Sequence, residues 1–181
     1  MTYSGQGQTA AGRYAQLESA RSTFEREAKE SSKLTIPSLI PESTTGTRSK
    51  IKTPFQAVGA RGVNSLASKL LFALLPPSTA FFKLSIDSLE LLKQGQEGLE
   101  SEIDKGLRTI ETALMNEIEI SNDRVAMFEA LKHLIVGGNV LLYLTDDGLK
   151  VYPLSKFVCK RDAIGNVCLL YTSDAADDDR G

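Results

Sequence analysis

The sequence predicts an α+β fold, and three observations carry that reading. Leu99, Ile103, Leu107, Ile110, Leu114 and Ile118 recur at steps of four, four, three, four and four, which marks one long amphipathic helix. Thr53-Pro54-Phe55-Gln56 reads as the start of another helix, one rich in small residues. Beyond Asn139 the texture changes to short apolar runs split by turn residues. Helices first and a small antiparallel β-meander afterwards belong to the α+β class.

Residues 1–13 have no hydrophobic period and read as a flexible N-terminus. From about Gly12 to Ser31, Tyr14, Leu17, Arg21, Phe24 and Ala28 recur at helical steps. Their narrow apolar face predicts one peripheral helix laid on something larger. Pro37 and Pro41 bracket an expected extended piece, Ile36 to Ile40. A polar loop with Arg48, Lys50 and Lys52 follows.

The next helix starts with Thr53 as cap and Pro54 in its first position, and Gln56 can reach back to the cap. It runs to about Leu75, where Pro76-Pro77 stops it. Phe55, Val58, Val63, Leu66, Leu70 and Leu74 form its expected apolar stripe. Gly59 and Gly62 cost helix propensity, so their smallness points to close packing.

Phe82, Leu84 and Ile86 alternate with Lys83, Ser85 and Asp87, the pattern of a half-buried strand. A helical turn around Ser88 to Lys93 leads to Gly95 and Gly98. The long helix then covers Leu99 to Ile120. Ser121-Asn122-Asp123 offers caps for a following helix with Met127, Phe128, Leu131, Leu134 and Ile135 on its apolar face. Gly137-Gly138 ends it, and the two helices form a helical hairpin. Val140 to Leu144 reads as a buried-type strand, Asp146-Asp147-Gly148 as a hairpin turn, and Lys150-Val151-Tyr152 as the return strand. Phe157-Val158-Cys159 is another strand, and Asp162 to Asn166 another turn with Gly165 at a positive backbone angle. The last strand begins at Asn166-Val167 and lacks its partner or continuation.

Composition excludes several classes. Over 181 residues the chain is 41% hydrophobic and 24% charged, so collagen-like and wholly disordered readings fall away. A formal charge of −2 argues against a strongly basic nucleic-acid domain. Two cysteines make neither a disulfide scaffold nor a zinc site. The polar start lacks the apolar core of a signal peptide, and the apolar run Leu131 to Leu144 is too short and broken for a membrane span. A soluble protein with reduced thiols is expected.

Catalytic chemistry is absent from the pattern. Glu129 and His133 stand four residues apart on one helix, but no nucleophile or oxyanion donor accompanies them, so a solvated pair on a helix flank is expected. Val58-Gly-Ala-Arg-Gly62 lies inside a helix and lacks the lysine-serine ending of a phosphate loop. Gly137-Gly138-Asn139 precedes a strand, so the dinucleotide fingerprint fails too. Cys159 reads as a small buried hydrophobe. Asp177-Asp178-Asp179 has no calcium-loop turn. No catalytic, cofactor or metal residue is assigned, and no enzyme activity is expected. Two other readings remain: a DNA-binding module using the basic loop Arg48 to Lys52, and a phosphate-handling enzyme fragment using Arg61 and Lys69.

A resemblance adds to this. Thr53-Pro-Phe-Gln-Ala-Val-Gly-Ala-Arg-Gly-Val-Asn-Ser-Leu-Ala-Ser-Lys-Leu70 and Phe128-Glu-Ala-Leu-Lys-His-Leu-Ile-Val-Gly-Gly-Asn-Val-Leu-Leu-Tyr-Leu144 resemble the N-terminal region of the head–tail connector, or portal, proteins of short-tailed podovirus-type phages. Leu34-Thr-Ile-Pro-Ser-Leu39 and Arg161-Asp-Ala-Ile-Gly-Asn-Val167 match in the same order. The resemblance covers about Tyr14 to Val167. It implies a non-enzymatic subunit of a ring, typically a dodecamer, at one capsid vertex. Its partners would be copies of itself, capsid and scaffold proteins, terminase and tail proteins, and double-stranded DNA in the channel of the full-length ring. The location implied is the virion, assembled in the host cytoplasm without a membrane. Residues 14–167 would be the outer, wing-side part of the subunit, and no DNA-contacting residue carries over.

The pattern departs from the family after Val167. Cys168-Leu-Leu-Tyr-Thr-Ser-Asp-Ala-Ala-Asp177 looks like a translated sequencing adapter, so residues 168–181 are expected to be foreign. They carry four aspartates and one arginine, and without them the formal charge of −2 becomes +1.

Overall fold

A computed structural model of the chain describes residues 9–41, 54–77, 79–85 and 99–172. It is α+β, as the order of patterns predicts. The elements are α1 (Ala10–Ala20), α2 (Ser22–Leu34), α3 (Val58–Leu74), α4 (Leu99–Ile120), α5 (Asp123–Gly137), β1 (Val140–Thr145), β2 (Gly148–Pro153), a 3-10 turn (Leu154–Lys156), β3 (Phe157–Arg161) and β4 (Val167–Thr172).

The expected single N-terminal helix is two. Thr9 caps α1 by accepting the Gly12 amide at 3.2 Å. The helix breaks at Arg21, whose φ of −97° and ψ of 4° leave the helical range. The Arg21 guanidinium donates to the carbonyls of Leu154 and Phe157, at the two sides of the 3-10 turn. The break lets α1 lie on β3 while α2 lies on α5. A 3.6-residue period reports only the phase of a helix, so it runs through such a corner unmarked.

The segment from Ile36 to Ile40 is a turn rather than an extended piece. Ser32, buried on α2, fixes it twice: its hydroxyl donates to the Ile36 carbonyl at 2.8 Å and accepts the Ile40 amide at 3.2 Å. The turn drops the Ile40 side chain into a cluster with Ala28, Leu154 and Phe157, onto which Leu39, Leu141 and Tyr152 pack. Burying such a side chain contributes roughly 1.5–3 kcal/mol.

Helix α3 starts at Val58, four residues later than Pro54, and Ala57 caps it without a side-chain bond. Thr53 lies outside the described residues. Phe55 is fully exposed, and Val58, Leu66 and Leu74 are largely so. The buried face is Val63 and Ala67, which lies against α5. Small residues let these two backbones approach, so the larger apolar residues point elsewhere. Gly59 shows the closest approach, because a Cβ there would stand 2.5 Å from the Leu34 carbonyl oxygen.

The expected strand at Phe82 to Ile86 is not formed in residues 82–85, and Ile86 lies outside the described residues. Phe82 and Leu84 are half-buried while Lys83 and Ser85 are exposed, so the alternation is present without a ladder partner. The Leu84 amide donates instead to a carboxylate oxygen of Glu111 on α4. The turn at Ser88 to Lys93, with Gly95 and Gly98, is also outside the described residues.

Helix α4 has the expected bounds, but the expected hairpin packs differently. Its neighbour α5 takes its main contacts from α3, α2 and β2 rather than from α4. Arg124 on α5 donates to the carbonyls of Leu75 and Pro76 at 2.8 and 3.0 Å, satisfying acceptors at the end of α3. Asp123 accepts the Leu149 amide at 2.8 Å and so ties α5 to β2. Gly138 ends the helix at φ 70°, as expected of a C-terminal glycine.

The strands form two separate antiparallel hairpins rather than one meander: β1 pairs with β2, and β3 with β4. Pro153 and the 3-10 turn interrupt the chain between them, so β2 does not pair with β3. In the first hairpin Thr145 faces Gly148, and Gly148 has φ 110°. Val140 to Leu144 is not the buried-type strand expected, since Leu142, Tyr143 and Leu144 are exposed. In the second hairpin Phe157 faces Thr172, and Gly165 has the expected positive angle, φ 98°. Thus the last strand, expected to lack a partner, finds it in β3.

Candidate interaction surface

The predicted chemical residues are not brought together. Arg48, Lys50 and Lys52, and Asp177 to Asp179, lie outside the described residues. Arg61 and Lys69 are both exposed, two turns apart on α3. Cys159 is half-buried rather than buried; it and the exposed Cys168 are free thiols. Among the described residues no three His, Cys, Asp or Glu side chains gather as a metal site.

The Glu129–His133 pair differs most from expectation. The pair is not solvated: His133 is 5% exposed, although Glu129 points outward. The distance from Nε2 to Glu129 Oε1 is 3.9 Å, too long for a hydrogen bond. Burial lowers the affinity of the ring for a proton, the Glu129 carboxylate raises it, and the neighbouring Lys132 lowers it. At 5% exposure, packed among the elements around α5, this is a core histidine.

A shallow groove of about 270 Å³ runs along α4, lined by Ala80, Glu111, Thr112, Met115, Asn116 and Glu119. Its lining is as polar as apolar and gives no reactive arrangement. Among its exposed residues the molecule holds several large apolar side chains outward. Val58 and Phe72 on α3, Ile110 and Leu114 on α4, and Tyr143 and Leu144 on β1 are all 44% exposed or more. Gly62 shares the outer side of α3, with no atom within 4 Å of a Cβ placed on it. Large apolar residues held outward on rigid elements suit contact with other protein better than chemistry.

Arg21 enters the sequence pattern only as a step in a helical row and Asp123 only as a candidate cap; the contacts by which they and Arg124 hold the elements together are not legible there. Each acts on a backbone group far away in the chain, and spacing carries no signal of that kind.

The β1–β2 hairpin packs on α5, against which α2 and α3 also lie, while β3 of the second hairpin packs on α1. The family model for bacteriophage head to tail connecting proteins matches residues 7–177, so the chain belongs to that family. Its relatives are portal proteins. The chain is 43% identical over 169 residues to the portal protein of Escherichia phage T7, which covers 89% of this chain and 31% of that protein. Identity to the portal protein of Enterobacteria phage T3 is 43% over 168 residues, again 89% and 31%. For Enterobacteria phage SP6 it is 33% over 157 residues, covering 81% of this chain and 28% of the relative. The chain therefore spans about a third of the length of the portal proteins it matches. The family match runs past Val167, and residues 168–172 form most of β4.

No described helix is long and apolar enough to cross a membrane.

Proposed function

We propose that this chain is the N-terminal, wing-side part of a portal subunit, with residues 14–167 as its body. The observation that carries this is the 43% identity to two portal proteins over 89% of the chain. In this role the protein is structural and performs no bond chemistry. Copies of the full-length subunit form a ring at a capsid vertex, a dodecamer in the usual family pattern. DNA is packaged and ejected through that ring. Capsid and scaffold proteins, terminase and tail proteins are its partners in the virion. The outward apolar residues of α3, α4 and β1 support a role in protein contact.

The natural gene tests this reading. It should continue as one frame about three times as long as this chain, as in the relatives, and lie beside scaffold and capsid genes. A frame that ends early among genes of metabolism would overturn it.

We further propose that residues 168–181 are foreign coding sequence. The string Cys168 to Asp177 supports this. The adapter sequence in the nucleotide read confirms it, and a native phage sequence there refutes it.

A further inference from the structure

His133 is the one histidine in the chain. It lies in the C-terminal third of α5 and is 5% exposed. Its Nδ1 is buried with no hydrogen-bond partner. Its Nε2 has Glu129 Oε1 at 3.9 Å, and that carboxylate is 55% exposed. A neutral imidazole has one N–H to satisfy, whereas the charged form has two. The charged form always carries a proton on Nδ1, and that buried atom has no partner. Five elements pack on α5: α2, α3, α4, β1 and β2. No described charged group on these elements acts on the ring; Glu129 and Lys132, both on α5, do. Lys132 stands over the Phe128 ring at 5.0 Å and adds a like charge.

Helix α5 is also where the fold is joined. Asp123 holds β2, Arg124 holds the end of α3, and Gly137 lies so close to Ile40 that a Cβ there would be 3.2 Å from its Cδ1. A ring forced to leave this helix face disturbs contacts with the elements around it. We propose that His133 is an acid-sensitive lock: neutral, it fills the face of α5; charged, it leaves that face and loosens α5 from α2, α3 and the β1–β2 hairpin. The direction follows from linkage. Burial makes the folded chain bind this proton more weakly than the unfolded chain does. Stability is therefore complete well above about pH 6.5 and falls as pH drops below it.

The test uses the 181-residue chain. Thermal unfolding is followed by circular dichroism at about pH 7.5 and about pH 5.5, a range in which histidine is the ordinary titrating side chain. The wild type should melt lower at the acid pH. His133→Leu should lose most of that difference, and Glu129→Gln should enlarge it by removing the one favourable charge. An acid shift that persists undiminished in His133→Leu overturns the proposal, as does a wild-type melting temperature that does not move. Should His133→Leu fail to fold, the single imidazole of the wild type is titrated by NMR. Titration below the ordinary histidine range, together with loss of dispersed α5 signals, supports the lock. Ordinary titration with α5 signals intact overturns it.

Discussion

A Cβ on Gly59 would stand 2.5 Å from the carbonyl oxygen of Leu34, so α3 meets the end of α2 backbone to backbone. The obstructing atom belongs to the main chain and cannot swing aside. Gly59→Ala should therefore destabilise the fold by about 1–3 kcal/mol, the usual range for overpacking. Gly62, three residues along the same helix, meets nothing within 4 Å. Gly62→Ala should be neutral or stabilise by up to about 1 kcal/mol through helix propensity. Urea midpoints of the two variants check this, and equal losses in both would show that the contact is not what sets the cost.

The identity of Gly59 as a packing residue was legible in the sequence, because a glycine inside a helical period calls for a reason. Which of the two helical glycines packs was not legible, since period and composition treat Gly59 and Gly62 alike. The same limit explains the long helix and the strands. Leu99 to Ile120 was placed correctly because its period is long and unbroken. Phe82 to Ser85 alternates like a strand but has no ladder partner, and a single segment cannot report its partner. Among the site residues, His133 was seen beside Glu129, yet its burial depends on α5 being enclosed by other elements. That enclosure is a tertiary fact.

Asp123 and Arg124 make neighbouring residues serve two different elements. Removing the Asp123 carboxylate frees the Leu149 amide at the base of β2. Removing the Arg124 guanidinium frees the carbonyls of Leu75 and Pro76. Hydrogen bonds to charged groups contribute about 1.5–3 kcal/mol each when partly buried, so Asp123→Ala and Arg124→Ala should each cost about that much. Hydrogen exchange separates them. Asp123→Ala should speed exchange at Leu149, while Arg124→Ala should fray the last turn of α3. A uniform loss of protection in both would mean that neither bond acts locally.

The β3–β4 turn should respond to acid through Asp162. Its carboxylate accepts the amides of Ile164 and Asn166 at 2.9 and 2.8 Å and the Asn166 side-chain amide at 3.0 Å. The Asn166 side chain and backbone, then the other turn amides, hold this carboxyl below the usual aspartate value. A lowered folded value makes its contribution present above about pH 3.9 and lost as pH falls through the folded value. NMR signals of Ile164 and Asn166 should therefore shift in this acid range. Asp162→Asn should remove the transition, and its persistence would assign the effect to another group.

Outward residues give a contrast with the buried ones. Gly62→Leu adds a large side chain where the isolated chain has room, so its fold should persist. If that side of α3 meets a neighbouring subunit, the same substitution in the full-length protein should impair assembly. Normal assembly by electron microscopy would remove α3 from the contact surface.

Negative-stain electron microscopy of the full-length product of the natural gene decides whether this subunit builds a ring. Closed rings of uniform subunit number with an open central channel are expected of a portal subunit. A purified, folded product that stays monomeric, or that forms open aggregates without a channel, would contradict it.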